Sequence, residues 1–108
     1  MICIKIFRTT SGEISGVSVR GHSGTAGHGE DIVCAGVSAL AQTALLGIGQ
    51  HLHREVDYEV ASGDLRMKLR SEPDDLTEAI LETMLLGLIE IVKINPEAVR
   101  ISDSQGVK

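Results

Sequence analysis

The chain has 108 residues, 43% of them apolar and 23% charged, which fits one soluble globular domain with a real hydrophobic core. Ten basic and fifteen acidic residues leave a formal charge of −5, with no basic patch, and this argues against direct DNA or RNA binding. Phe7 and Tyr58 are the only aromatics, so stacking platforms for single-stranded nucleic acid are lacking, and two cysteines are too few for a disulfide scaffold.

In chain order, residues 2–8 alternate, with Ile2, Ile4 and Ile6 on one face and Cys3, Lys5 and Phe7 on the other, the period of a strand. Cys3 reads there as a buried small hydrophobe. Thr10-Ser11-Gly12 forms a hairpin turn into a second strand over 13–20, where the parity slips between Ile14 and Val17 and predicts a bulge near Gly16. Residues 21–30 read as a loop dense in glycine, with Gly21, Gly24, Gly27 and Gly29. From Asp31 to about His51 the pattern is helical, with Asp31 as N-cap and a wide apolar face of Val33, Val37, Leu40, Ala41, Ala44, Leu45 and Ile48.

Residues 55–60 and 64–70 form the clearest hairpin. Val56, Tyr58 and Val60 alternate with Glu55, Asp57 and Glu59, and Leu65, Met67 and Leu69 alternate with Arg66, Lys68 and Arg70. Opposite charges can pair across its exposed face, and its apolar face must be covered. Pro73, Asp74 and Asp75 open a second helix to about Lys93, with a stripe of Leu76, Ile80, Met84, Leu88, Ile91 and Val92, and Asn95-Pro96 ends it. Residues 98–102 read as a last strand, followed by a polar, frayed tail from Asp103. The order β-β-α-β-β-α-β implies a two-layer α/β sandwich over residues 1–108, two helices on one face of a mixed sheet of about five strands. No signal peptide is expected at the N-terminus. The longest apolar run is interrupted by Gly, Gln and Thr, so no membrane span is expected, and a reducing cytoplasmic location follows.

The chemistry centres on Cys34, placed in the first turn of the first helix beside the glycine-rich loop. Unpaired N–H groups and the positive end of the helix favour a thiolate there. A lone helical cysteine is more often a packing residue, and position is what argues for reactivity here. His22, where a strand ends and the loop begins, is the candidate general base for a thiol nucleophile. His28, between Gly27 and Gly29, is the competing base. Asp31 is first a helix cap and second a group that orients a histidine. Ser38 lies one turn after Cys34 on the same face and assists the thiol or substrate, or simply packs under the loop. His22, His28, Asp31 and Cys34 match no compact zinc pattern, so no metal or other cofactor is expected. His51 and His53 close the first helix and suit its negative end. A phosphate site is rejected, because Glu30 and Asp31 put negative charge where the phosphate would sit.

Gly21-His22, a short glycine-containing spacer and Gly29-Glu30-Asp31-Ile32-Val33-Cys34-Ala35-Gly36-Val37-Ser38 together resemble the signature of the bacterial ribosomal-processing cysteine protease family (Prp, YsxB-like). The resemblance extends to length and element order. It implies a cysteine endopeptidase with Cys34 as nucleophile and His22 as base, Asp31 and Ser38 assisting, and Gly24, Gly27, His28 and Gly29 in a loop that meets substrate. The implied substrate is the precursor of a large-subunit ribosomal protein, the twenty-seventh in the usual naming. Its short N-terminal extension would be removed after an aromatic pair. A homodimer is implied as well. Many members carry an aromatic residue where this chain has His28. The loop is expected to stay mobile until substrate arrives and then close over it, and N–H groups at the helix start are expected to stabilise the oxyanion. The alternative class is a non-catalytic ribosome-assembly or peptide-binding module, in which Cys34 only packs; a thiol redox role is weakened by the lack of a Cys-x-x-Cys motif.

Overall fold

The computed structural model describes residues 1–22, 28–104 and 106–107, with residues 28–31 and 106–107 described as backbone. Among the described residues, six strands form one mixed sheet: β1 (Ile2–Arg8), β2 (Ile14–Arg20), β3 (Val56–Ala61), β4 (Asp64–Leu69), β5 (Val99–Asp103) and β6 (Gly106–Val107), in the order β3-β4-β2-β1-β5-β6. β1 runs parallel to β5 and antiparallel to β2, and the other pairings are antiparallel. Helices α1 (His28–Leu46), continued by a π-helical turn at Gly47–His51, and α2 (Asp75–Ile94) form the second layer. This is the two-layer sandwich that the element order implies, with a short sixth strand added.

The alternation in β1 sets the layers. Ile2, Ile4 and Ile6 are buried beneath the helices with Val17, Met67, Val99 and Ile101. Cys3 and Phe7 are exposed, which corrects the reading of Cys3 as a buried residue: the helices cover one face of the sheet, and Cys3 lies on the other. The bulge falls where the parity slip puts it, since Phe7 pairs with Gly16 and Arg8 with Ile14, leaving Ser15 as the extra residue. That bulge lets both Ile14 and Val17 reach the core. Gly16 also permits close strand packing, because a Cβ there would stand 2.7 Å from the Met67 carbonyl.

α1 begins at His28, three residues before the expected cap, so Asp31 lies inside the first helical turn and does not cap the helix. Val33, Val37, Ala41, Ala44 and Ile48 are buried as expected, with Leu40 and Leu45 at the margin of the core. The segment Ile32–His51 has a mean hydropathy of 1.8 and is long and apolar enough to cross a membrane, contrary to the reading from its Gly, Gln and Thr. In the fold Val33, Val37, Ala41, Ala44 and Ile48 turn into the core that α1 shares with the sheet and α2, and Ile32 and Leu46 stay exposed.

α2 is capped by Asp74, whose carboxylate accepts from the Leu76 and Thr77 N–H groups at 2.9 Å, while the Thr77 hydroxyl accepts from the Asp74 N–H, also at 2.9 Å. Its buried stripe is Thr77, Leu81, Met84, Leu85 and Leu88. Leu76, expected inside, is exposed, because the helix presents the face one position further along to the sheet.

The charged face of the β3–β4 hairpin pairs as predicted. Arg66 bonds Glu59, and Arg70 lies 3.3 Å from Glu55 and 3.4 Å from Asp57. Its apolar face is buried on β4 and, on β3, covered in part only at Val56. Tyr58 and Val60 are 65% and 46% exposed, because β3 is the sheet edge and lies beyond the helical layer.

The expectation of a frayed tail from Asp103 is also corrected. Asp103 is buried and takes two hydrogen bonds from the Arg8 guanidinium, at 2.8 and 2.9 Å, and the chain then turns back into β6.

Candidate active site

The site forms at the end of the sheet where β1 starts and β2 finishes. Gly21 breaks out of β2 with φ +97°, and a side chain there would collide with the Met1 carbonyl, with its Cβ 2.4 Å from that oxygen. The Gly21 N–H donates to the Gly63 carbonyl at 2.9 Å, and the Met1 amino group donates to the His22 carbonyl at 2.5 Å. His22 is thus held by backbone bonds on both sides while its side chain stays exposed.

Cys34 lies on α1, half-buried against the edge of the core. Because the helix starts at His28, Cys34 falls in the second turn, one turn later than the sequence reading puts it. The first-turn N–H groups that have no helical acceptor therefore belong to residues 28–31, upstream of the thiol. Helical side chains lean toward the N-terminus, so the Cys34 side chain leans toward that turn.

His22 and Cys34 line one cleft of about 500 Å3. Ile2, Val19 and Leu65 give it an apolar floor, α1 forms one side, and the β3–β4 hairpin from Val60 to Asp64 forms the other. Ser38 lines the helical side and accepts a hydrogen bond from the Gln42 amide at 2.6 Å. Gln42 also lines the cleft, and sequence reasoning missed it. Its signal was present, since Cys34, Ser38 and Gln42 follow a spacing of four on one helix face. Gly63 was missed too, and no local pattern could have joined it to His22.

The remaining candidates divide in two. Gly24 and Gly27 lie outside the described residues, as does the expected loop closure over residues 23–27, whereas residues 28–30, expected in that loop, belong to α1. His28, Gly29 and Asp31 are described as the first turn of α1. Chemically, the cleft offers a thiol from the helix, an imidazole from the sheet and an apolar floor long enough for peptide side chains.

The sequence model of the family "Cysteine protease Prp" matches residues 1–100. The ribosomal processing cysteine protease Prp of Staphylococcus aureus (strains Mu50 and NCTC 8325) is 29% identical over 105 residues, covering 94% of this chain and 98% of that protein. Among solved structures, the S. aureus protease Prp in complex with a substrate peptide superposes with a TM-score of 0.87 at 26% identity, covering 96% of this chain and all of the other. The same enzyme with a covalently linked product peptide gives 0.86 at 27% identity, over the same shares of both chains. SMU.848 of Streptococcus mutans gives 0.82 at 26% identity, covering 95% and 93% of the two chains. A family match over nearly the whole chain, on a fold shared end to end and a cleft that holds both a cysteine and a histidine, places the chain in the Prp family of cysteine proteases.

Proposed function

We propose that the chain is a single catalytic domain in which Cys34 is the nucleophile and His22 the general base of peptide-bond hydrolysis. The observation that carries this reading is that the two side chains line the same cleft, although they come from different layers of the fold. Cys34 Sγ attacks the scissile carbonyl carbon as His22 takes the thiol proton. The tetrahedral oxyanion is met by the N–H groups that the first turn of α1 leaves without helical partners. Collapse breaks the C–N bond, His22 delivers its proton to the leaving amine, and a thioester remains on Cys34. Water, deprotonated by His22, then attacks the thioester and releases the carboxylate product and the thiol. The covalently linked product peptide in the S. aureus relative supports a path through a covalent enzyme species.

The substrate is the N-terminal extension of a large-subunit ribosomal protein precursor. The relatives are ribosomal processing proteases, and one of them is solved with a substrate peptide. An extended peptide suits the cleft, whose hairpin side presents the half-exposed apolar side chain of Val60. The protein works in the cytoplasm as a homodimer, for which α1 offers an outer face without charged residues between Ile32 and His51. Asp31 and Ser38 assist, Ser38 being held by Gln42.

The test is cleavage of a peptide copying that extension, followed by mass spectrometry with wild type, Cys34→Ala and His22→Ala side by side. One cut by wild type alone is the expected result. Turnover by Cys34→Ala would remove the assigned nucleophile. Binding of the peptide by all three proteins without a cut would favour the assembly-module reading of this substrate.

A further inference from the structure

We propose that Gly63, at the tip of the β3–β4 hairpin, is a positioning residue for His22: its bare Cα is the seat on which the imidazole rests. The inference rests on the reading of His22 as the general base. A Cβ built on Gly63 would stand 2.4 Å from His22 Nε2, 2.8 Å from Cε1 and 3.1 Å from Cδ2. Real Cβ atoms do not approach ring atoms so closely, so any L-side chain at position 63 must push the ring away or be pushed itself. The seat is fixed at its other end as well, because the Gly63 carbonyl accepts from the Gly21 N–H at 2.9 Å, pinning the backbone one residue before the histidine. The hairpin tip therefore holds both the root and the far edge of the catalytic side chain.

The turn alone accounts for part of this glycine, since Gly63 has φ +72°. It does not account for the imidazole lying on it. The two roles separate experimentally. Gly63→Asn retains a residue that tolerates positive φ and adds the Cβ that the ring excludes. Gly12→Ala imposes the same kind of backbone strain at φ +93°, in the β1–β2 turn at the opposite end of the sheet.

The experiment compares wild type, Gly63→Asn, Gly12→Ala and His22→Ala for kcat, KM and the pH dependence of kcat/KM. Gly63→Asn is expected to lose about 10- to 100-fold in kcat with little change in KM, because misplacement by a fraction of an ångström to one ångström impairs proton transfer, and to move the acid limb of the pH profile, because a displaced ring changes its surroundings. Gly12→Ala is expected to keep wild-type kcat and the wild-type profile, whatever it does to the melting temperature. An inactive His22→Ala beside a Gly63→Asn with wild-type kcat and profile would overturn the proposal and leave the dyad standing. An active His22→Ala would instead remove the dyad reading itself. Proton NMR of the wild-type protein gives a readout independent of any variant's folding: an Overhauser contact between the His22 ring and the Gly63 Hα protons is expected, and its absence would overturn the seat.

Discussion

The two ends of the central strands solve opposite problems. At the Arg8 end, charge is buried and answered. The guanidinium gives two bonds to Asp103, one to Glu82 at 2.8 Å and one to the Gly12 carbonyl at 2.8 Å, and the Ile14 N–H donates to Glu78 at 2.7 Å. Those carboxylates, Asp103 first and Glu82 second, raise the pKa of Arg8 still further above its already basic value. At the Met1 end, His22 and Cys34 face an open cleft, and backbone bonds from Gly21 to Gly63 and from Met1 to His22 tie its frame. One end locks the helix–sheet assembly and the β5 return, and the other leaves a thiol and an imidazole accessible. Where stability is invested in side-chain bonds, side chains have no freedom left for chemistry.

Variants should fall cleanly on one side of that division. The largest effect is expected from Cys34→Ala, with turnover falling by about 10^4-fold or more at a nearly constant melting temperature, and His22→Ala should cost about 10^2- to 10^4-fold. Steady-state kinetics beside calorimetry measures both. Next comes Arg8→Ala, which strips the cation from a fully buried Asp103 carboxylate and should cost about 3–5 kcal/mol in urea unfolding. Its kcat should be unchanged in the fraction that remains folded; a lowered kcat there would show that the two ends are coupled.

Val60→Ser should raise KM several-fold and leave kcat alone, since an exposed apolar side chain on the cleft wall binds ground state and transition state alike. The smallest effect concerns acid stability. Backbone N–H bonds from Thr77, then Arg54, hold the Asp74 carboxyl below its usual range. Its contribution is therefore full above the unfolded aspartate value of about 3.9 and is lost as pH falls through the lower folded value. Asp74→Ala should lower the melting temperature at neutral pH and flatten its fall below about pH 4.

The strand pattern was legible because alternation is a local property. Ile2, Ile4 and Ile6 declared a face, and the parity slip from Ile14 to Val17 declared the bulge. Alternation does not say whether both faces are covered, which is why Cys3 was read as buried. The start of α1 was misplaced because Asp31 resembles a cap and Gly29 a loop residue, whereas the first turn can absorb both. Asp103 read as tail because its partner, Arg8, lies at the other end of the chain. The same limit hid Gly63. The Gly-His and Asp-Ile-Val-Cys segments pointed to His22 and Cys34 together, but the hairpin tip beneath the histidine is a contact that only folding creates.

The parallel pairing of β1 with β5 carries a consequence for synthesis. Ile2, on the floor of the cleft, is registered against Val99, nearly the whole chain away. Pairings so distant in sequence carry a large loop-closure cost and slow folding. A nascent chain still short of β5 has an incomplete sheet beneath its thiol and imidazole. The sheet beneath Cys34 and His22 is therefore complete only once β5 has been made.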